Sequence, residues 1–113
     1  MKTQIPDKSK PIAGTLDKLK KIITAYYRQR LQNVILYGSY ARGDFNEQSD
    51  IDILVVLNEM QSEMQEIDML AELKTDILLE SDIYISTNPV SAENLQNSEF
   101  MFYKNIRKEG VVL

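Results

Sequence analysis

The stretch that decides the fold is Val34–Leu57, with the sequence VILYGSYARGDFNEQSDIDILVVL. It contains two apolar, strand-like runs on either side of a Gly-Ser turn and a pair of aspartates. Because side chains alternate between the two faces of a strand, Asp50 and Asp52 are predicted to project from one face while Ile51 points into a core. Two carboxylates on one face repel each other, so a cation is expected between them. Mg²⁺ is the usual cation when phosphate supplies the other ligands.

The turn before the aspartates has the composition of a phosphate-binding turn. The first strand ends at Gly38, and the following residues can begin a helix with Ser39 as its cap. Glycine lets the backbone approach an anion closely, and the start of a helix carries partial positive charge. We therefore expect backbone N–H groups and the Ser39 hydroxyl to bind phosphate.

Length and composition limit the chemistry. A chain of 113 residues is expected to form one domain over residues 15–113, after a loose leader over residues 1–14, with no room for a separate acceptor-binding domain. The absence of Cys and His excludes thiolate and His-liganded metal sites and imidazole catalysis. A net charge of −4 argues against a general nucleic-acid binder. With no signal peptide and no apolar run of membrane-spanning length, the expected compartment is the cytoplasm.

The hydrophobic periodicity predicts an α/β fold, in which a small mixed β-sheet has helices packed on one face and an active site on the other. Strands are predicted over residues 34–37, 51–57, 81–86 and 111–113, and Asn88-Pro89 is predicted to turn the chain. Helices are predicted from Thr15 to about Arg30, from Met60 to Leu78, from Ser91 to Gln96 and from Ser98 to Lys108.

The central stretch resembles the DNA polymerase beta-like nucleotidyltransferases and, within them, the minimal nucleotidyltransferase (MNT) family. The signature of that family is Gly-Ser, a spacer of roughly ten residues, and Asp-x-Asp inside a hydrophobic strand. Gly38-Ser39 and Asp50-Ile51-Asp52 fit it, with ten residues between them. The resemblance extends from about Leu16 onward and is tight only within Val34–Leu57. It implies the polymerase beta-like nucleotidyltransferase fold.

The resemblance also implies a nucleotide site. Gly38 and Ser39 would hold the β and γ phosphates of a nucleoside triphosphate. Arg42 has the reach and the permanent charge to offset phosphate charge, although an ion pair with Asp44 is an equally good interpretation.

Metal-assisted nucleotidyl transfer uses two Mg²⁺ ions, which need at least three carboxylates. Asp50 and Asp52 supply two of them. Asp82, on the polar face of the third predicted strand, is our candidate for the third ligand and for orienting the incoming hydroxyl. Glu80 is the rival for this role.

The function implied by the resemblance is transfer of AMP from ATP to a hydroxyl group. MNT proteins of the MntA type often act as antitoxins that adenylylate a tyrosine of a HEPN-domain toxin, so such a toxin is the implied partner. Two alternatives stay open. One is a homodimer that modifies a small molecule such as an aminoglycoside, and the other is a non-catalytic binding module on the same fold.

Overall fold

The centre of the molecule is an antiparallel pair of strands, β1 (Leu31–Tyr37) and β2 (Ile51–Leu57), in a computed structural model that describes residues 1–113. Strand β3 (Ile85–Ser91) runs parallel to β2, and β4 (Val111–Val112) runs antiparallel to β1. The order across the sheet is β3-β2-β1-β4. The α/β class and the small mixed sheet that the sequence predicts are therefore confirmed.

One face of the sheet is covered by three helices, α1 (Ala13–Tyr27), α3 (Glu63–Leu73) and α4 (Thr75–Glu80). Helix α1 has apolar residues at helical spacing, and Leu19 and Ile23 are fully buried against this face. Strand β2 contributes its odd-numbered residues, Ile51 to Leu57, to the same core. We call this the closed face.

The opposite face is covered in part by α5 (Ala92–Asn97) and α6 (Met101–Glu109). These helices pack on a smaller core, whose members are Ile35, Leu54, Val56, Val90, Leu95 and Ile106. The predicted packing of helices on one face is therefore found on the closed face, and in addition two short helices cover part of the other face, around Leu54 and Val56. The remainder, where Asp52 lies, we call the open face. None of the helices has the length and apolarity needed to cross a membrane.

The third strand begins later than predicted. The Ser81 hydroxyl accepts a hydrogen bond from the Ile83 N–H at 3.1 Å and donates one to the Ile83 carbonyl at 3.0 Å, so residues 81–83 form a local turn instead of a strand. Strand β3 instead continues through Asn88 and Pro89, which were predicted to turn the chain. Proline is tolerated there because β3 is an edge strand of the sheet.

Two helical segments also differ from the predictions. The long helix predicted from Met60 to Leu78 is divided at Lys74 into α3 and α4. The leader predicted to be loose contains a 3-10 helix over Asp7–Ile12. It is fixed because Ile12 is buried and the buried Ser9 hydroxyl donates a hydrogen bond to the Tyr40 carbonyl at 2.6 Å.

Candidate active site

The site is built where β1 ends beside β2. Tyr37 is the register partner of Asp52, so the next residue, Gly38, lies directly against the Asp52 side chain. A Cβ atom added to Gly38 would collide with the Asp52 carboxylate and would lie 3.2 Å from its Cγ. Gly38 also has φ +74°, which L-residues rarely adopt. Both facts require glycine here, and the turn and the carboxylate form one site.

The two aspartates differ in exposure. Asp50 is exposed and precedes β2, while Asp52 is half-buried on the open face. Burial raises the pKa of the Asp52 carboxyl above its ordinary value, the negative charge of Asp50 adds to this rise, and the positive charge of Arg42 opposes it. The carboxylates are therefore close enough to interact, and neither takes part in an ion pair within the chain. Such oxygen donors suit a hard divalent cation.

The turn after β1 leads into α2 (Ser39–Arg42), a single helical turn. Its cap is Gly38, whose carbonyl accepts hydrogen bonds from the Ala41 and Arg42 N–H groups, both at 3.1 Å. The prediction that Ser39 caps the helix is wrong, because Ser39 is already the first helical residue. It directly follows Gly38, the residue that lies against the Asp52 side chain.

Arg42 at the end of α2 forms the ion pair that was the alternative interpretation. Its Nε donates to Asp44 at 3.1 Å and its Nη1 donates to Glu109 at 3.4 Å. It also lines a small cavity of about 160 Å³ together with Gly38 and Tyr37. Arg42 thus lines a cavity with Gly38, is held by two carboxylates, and has a charge that acts on Asp52.

The third predicted carboxylate is not brought to the other two. Ser86 is level with Asp52 in the sheet, and Asp82 lies four residues earlier, exposed, in the turn made by Ser81. The rival, Glu80, is at the end of α4 and pairs with Lys18 at 3.5 Å. No three acidic side chains in the chain form a group that could hold a metal ion. Asp50 and Asp52 therefore stand without Asp82.

The sequence predictions missed Tyr37 and Asn88. The Asn88 side-chain amide donates a hydrogen bond to the Tyr37 hydroxyl at 2.6 Å, across strand β2. Burial raises the pKa of the Tyr37 phenol and the charge of Asp52 adds to the rise, while the hydrogen bond from Asn88 opposes it. The signal that could have found Asn88 is the alternation of Ser86, Asn88 and Val90 on one face of a strand, which the turn predicted at Asn88-Pro89 concealed.

Comparison with known proteins adds to this geometry. A family model described as "Nucleotidyltransferase domain" matches residues 16–113. A protein of Methanocaldococcus jannaschii, provisionally named a protein adenylyltransferase, is 40% identical over 89 residues, which cover 77% of this chain and 82% of that protein. The protein adenylyltransferase MntA of Thermococcus cleftensis is 34% identical over 80 residues, covering 61% of this chain and 81% of that one.

A solved structure has the same fold. A mutant of the toxin–antitoxin pair MntA–HpeT contains a chain that superposes with a TM-score of 0.59 at 21% identity, over 87% of this chain and 70% of that chain. At this identity the likeness concerns the fold alone.

Proposed function

We propose, since the chain belongs to the nucleotidyltransferase domain family, that it transfers AMP from ATP to a hydroxyl group of a protein. In this reaction the hydroxyl oxygen attacks the α-phosphorus, the bond from that phosphorus to the oxygen bridging to the β-phosphate breaks, and pyrophosphate leaves. The proton of the hydroxyl passes to a carboxylate of the site. The observation that carries the proposal is the contact of Gly38 with Asp52, which joins the phosphate-binding turn to the carboxylate pair.

The residues present fit a divalent cation in part. Asp50 and Asp52 would hold Mg²⁺, because they are two like-charged oxygen donors without an ion pair whose mutual repulsion a cation would relieve. When bound, Mg²⁺ would offset the charge of the triphosphate and polarise its phosphoryl oxygens. Gly38 and Ser39 would bind the β and γ phosphates through the backbone. Arg42, which lines a cavity with Gly38, would offset phosphate charge.

We assign the acceptor to a tyrosine of a HEPN-domain toxin, for which this chain would be the antitoxin. Support comes from relatives that bear the name protein adenylyltransferase, MntA among them. The fold is also that of a chain in the MntA–HpeT toxin–antitoxin pair. Adenylylation would place the charge and bulk of AMP on the toxin.

The test is to incubate the chain with Mg²⁺, ATP and a HEPN-domain toxin, and to measure intact masses. We expect the partner to gain one or more AMP units, mapped to tyrosine by fragmentation. The double variant Asp50→Asn with Asp52→Asn should abolish the gain. Asp68→Asn removes an exposed carboxylate on α3 instead and should leave the reaction unchanged.

Two results would contradict the proposal. If the double variant still neutralises the toxin and the wild type adds no AMP, the chain is a binding module. If an aminoglycoside is adenylylated and the protein partner is not, the acceptor is a small molecule.

A further inference from the structure

Helix α6 lines the cavity of about 160 Å³ beside Gly38. Its residues in the cavity wall are three or four positions apart, and so lie on one face of the helix: Phe102, Asn105, Ile106 and Glu109. Gly38 lies against the Asp52 side chain, so the cavity adjoins the proposed phosphate-binding turn. Pockets that hold a whole small molecule are typically about 300–1,000 Å³, so this cavity fits only a part of a nucleotide.

The charges in the wall of this cavity offset each other. Its charged residues are Arg42 and Glu109, and they form an ion pair with 3.4 Å between the guanidinium and the carboxylate. The other side chains of the wall are aromatic, aliphatic or an amide. Such a cavity favours an electrically neutral group of the ligand.

Phe102 has a ring that a flat ligand can reach, since it is 43% exposed. Tyr37 and Tyr103 contact this ring edge to face, with centroids at 5.6 Å and 5.2 Å, so neither of them is stacked parallel to it. Tyr37 is itself held in place, because its hydroxyl accepts a hydrogen bond from the Asn88 amide at 2.6 Å. A supported and accessible aromatic ring is a platform on which a nucleobase can stack.

Asn105 places an exposed side-chain amide in the same cavity wall, three residues after Phe102. An asparagine amide can pair with adenine through two hydrogen bonds, donating to N7 and accepting from the N6 amino group. Guanine has the acceptor O6 where adenine has the N6 amino group, so the same amide cannot pair with guanine in this way. Asn105 can therefore distinguish the two purines.

Resting on the proposed function, we propose that this cavity holds the nucleobase of the bound nucleoside triphosphate, with Phe102 stacking on the base and Asn105 selecting adenine. The turn at Gly38 would hold the triphosphate at the adjoining end. Neither α6 residue contacts the reacting phosphorus in this arrangement. Both determine specificity, and they act on the affinity for the nucleotide and on the choice of base.

The test is to measure, by isothermal titration calorimetry with Mg²⁺, the binding of non-hydrolysable ATP and GTP analogues and of inorganic tripolyphosphate, which has no base. The wild type should bind the ATP analogue most tightly. Phe102→Ala should weaken binding of both analogues by about tenfold, because any base can stack, and should leave tripolyphosphate binding unchanged. Asn105→Ala should weaken binding of the ATP analogue alone, by about tenfold, and so remove the preference for adenine.

Two control variants separate stacking from a general effect on α6. Phe100→Ala removes a ring that is 76% exposed at the start of the helix and lines neither of the two cavities that Phe102 borders, so nucleotide binding should be unchanged. Phe102→Tyr keeps an aromatic ring and should bind both analogues as the wild type does. Equal losses in Phe100→Ala and Phe102→Ala, or weaker tripolyphosphate binding in Phe102→Ala, would overturn the inference.

Two further results would also overturn it. If Phe102→Ala binds both analogues normally but has a higher KM for the protein acceptor, the cavity holds the acceptor side chain. If the preference for the ATP analogue survives in Asn105→Ala, another residue selects the base.

Failure of the proposed function gives a different result. In that case the wild type binds neither the analogues nor tripolyphosphate, or it binds them and transfers no AMP. Intact AMP transfer by a wild type that binds the ATP analogue no more tightly than tripolyphosphate would overturn only the nucleobase site.

Discussion

Strand β2 presents Ile51 and Ile53 to the closed face of the sheet and Asp52 to the open face. The two faces differ in whether their polar side chains have partners within the chain. On the closed face, as in the rest of the chain, every buried side-chain nitrogen or oxygen has a hydrogen-bond partner within the chain. On the open face Asp50 and Asp52 have no ion pair, although the charge of one raises the pKa of the other. The difference indicates that the closed face is complete without a ligand and the open face is not.

Glu66 and Lys74 show how completely the closed face is satisfied. Glu66 is nearly buried, accepts a hydrogen bond from the Tyr27 hydroxyl at 3.2 Å and forms an ion pair with Arg30. Lys74, at the break between α3 and α4, donates to the Ile85 carbonyl at 2.9 Å and to the Thr87 hydroxyl at 3.1 Å. Buried charges are tolerated where such partners are fixed.

The largest contrast is expected between two neighbouring residues of β2. Ile53→Ala should lower the free energy of unfolding by about 3 kcal/mol, because it leaves a cavity in a fully buried core. Asp52→Asn, one residue away, should abolish AMP transfer while leaving stability unchanged or slightly higher, because it removes a half-buried charge next to another carboxylate. Urea denaturation of both variants measures this contrast. A loss of stability in Asp52→Asn as large as that in Ile53→Ala would show that Asp52 belongs to the core.

The sequence predicted the closed face better than the open one. Periodicity identified α1, β1 and β2 because burial on one side leaves a regular apolar pattern. It also placed Asp50, Asp52 and Gly38 in one site, since the spacing of two strands and a turn is local. The start of β3 was missed, because the Ser81 turn and an edge-strand proline depend on tertiary context. The first error placed Asp82 on the strand, although it lies in the turn before it, and the second left Asn88 outside the strand.

A smaller contrast is expected between two glycines, Gly38 and Gly14, where substitution by alanine should have opposite effects on the protein. Gly38→Ala should lower AMP transfer by at least about 100-fold, because the new methyl group displaces the Asp52 carboxylate. The positive φ at position 38 also strains an alanine there, by about 1–2 kcal/mol in the folded state. Gly14→Ala, where nothing lies within 4 Å, should instead stabilise α1 by about 0.5–1 kcal/mol and leave transfer unchanged. Normal AMP transfer by Gly38→Ala would show that the turn at Gly38 is not part of the catalytic site.

The smallest effect expected is a dependence of the free energy of unfolding on pH, caused by Lys74 on the closed face. Burial lowers the pKa of the Lys74 ammonium. Between this lowered pKa and the ordinary value of about 10.4, the unfolded chain binds a proton that the folded chain does not, so stability rises with pH in that window. The slope stays below about 1.4 kcal/mol per pH unit, the limit for one proton.

Lys74→Met keeps the length of the side chain and should remove this slope, in addition to a pH-independent loss from the two missing hydrogen bonds. The difference in unfolding free energy between wild type and Lys74→Met should therefore grow as the pH rises from the lowered pKa of Lys74 toward the ordinary lysine value of about 10.4. Lys20→Met, on the exposed side of α1, controls for the loss of one positive charge. Above about pH 10 ionisation of tyrosine in the unfolded chain lowers the stability of wild type and Lys74→Met alike, because burial raises the pKa of Tyr27 in the folded protein and the charge of Glu66 raises it further, so the difference between the two proteins is unaffected. Parallel curves of unfolding free energy against pH for wild type and Lys74→Met would mean that solvent reaches the Lys74 ammonium. The closed face would then be less completely buried than its contrast with the open face requires.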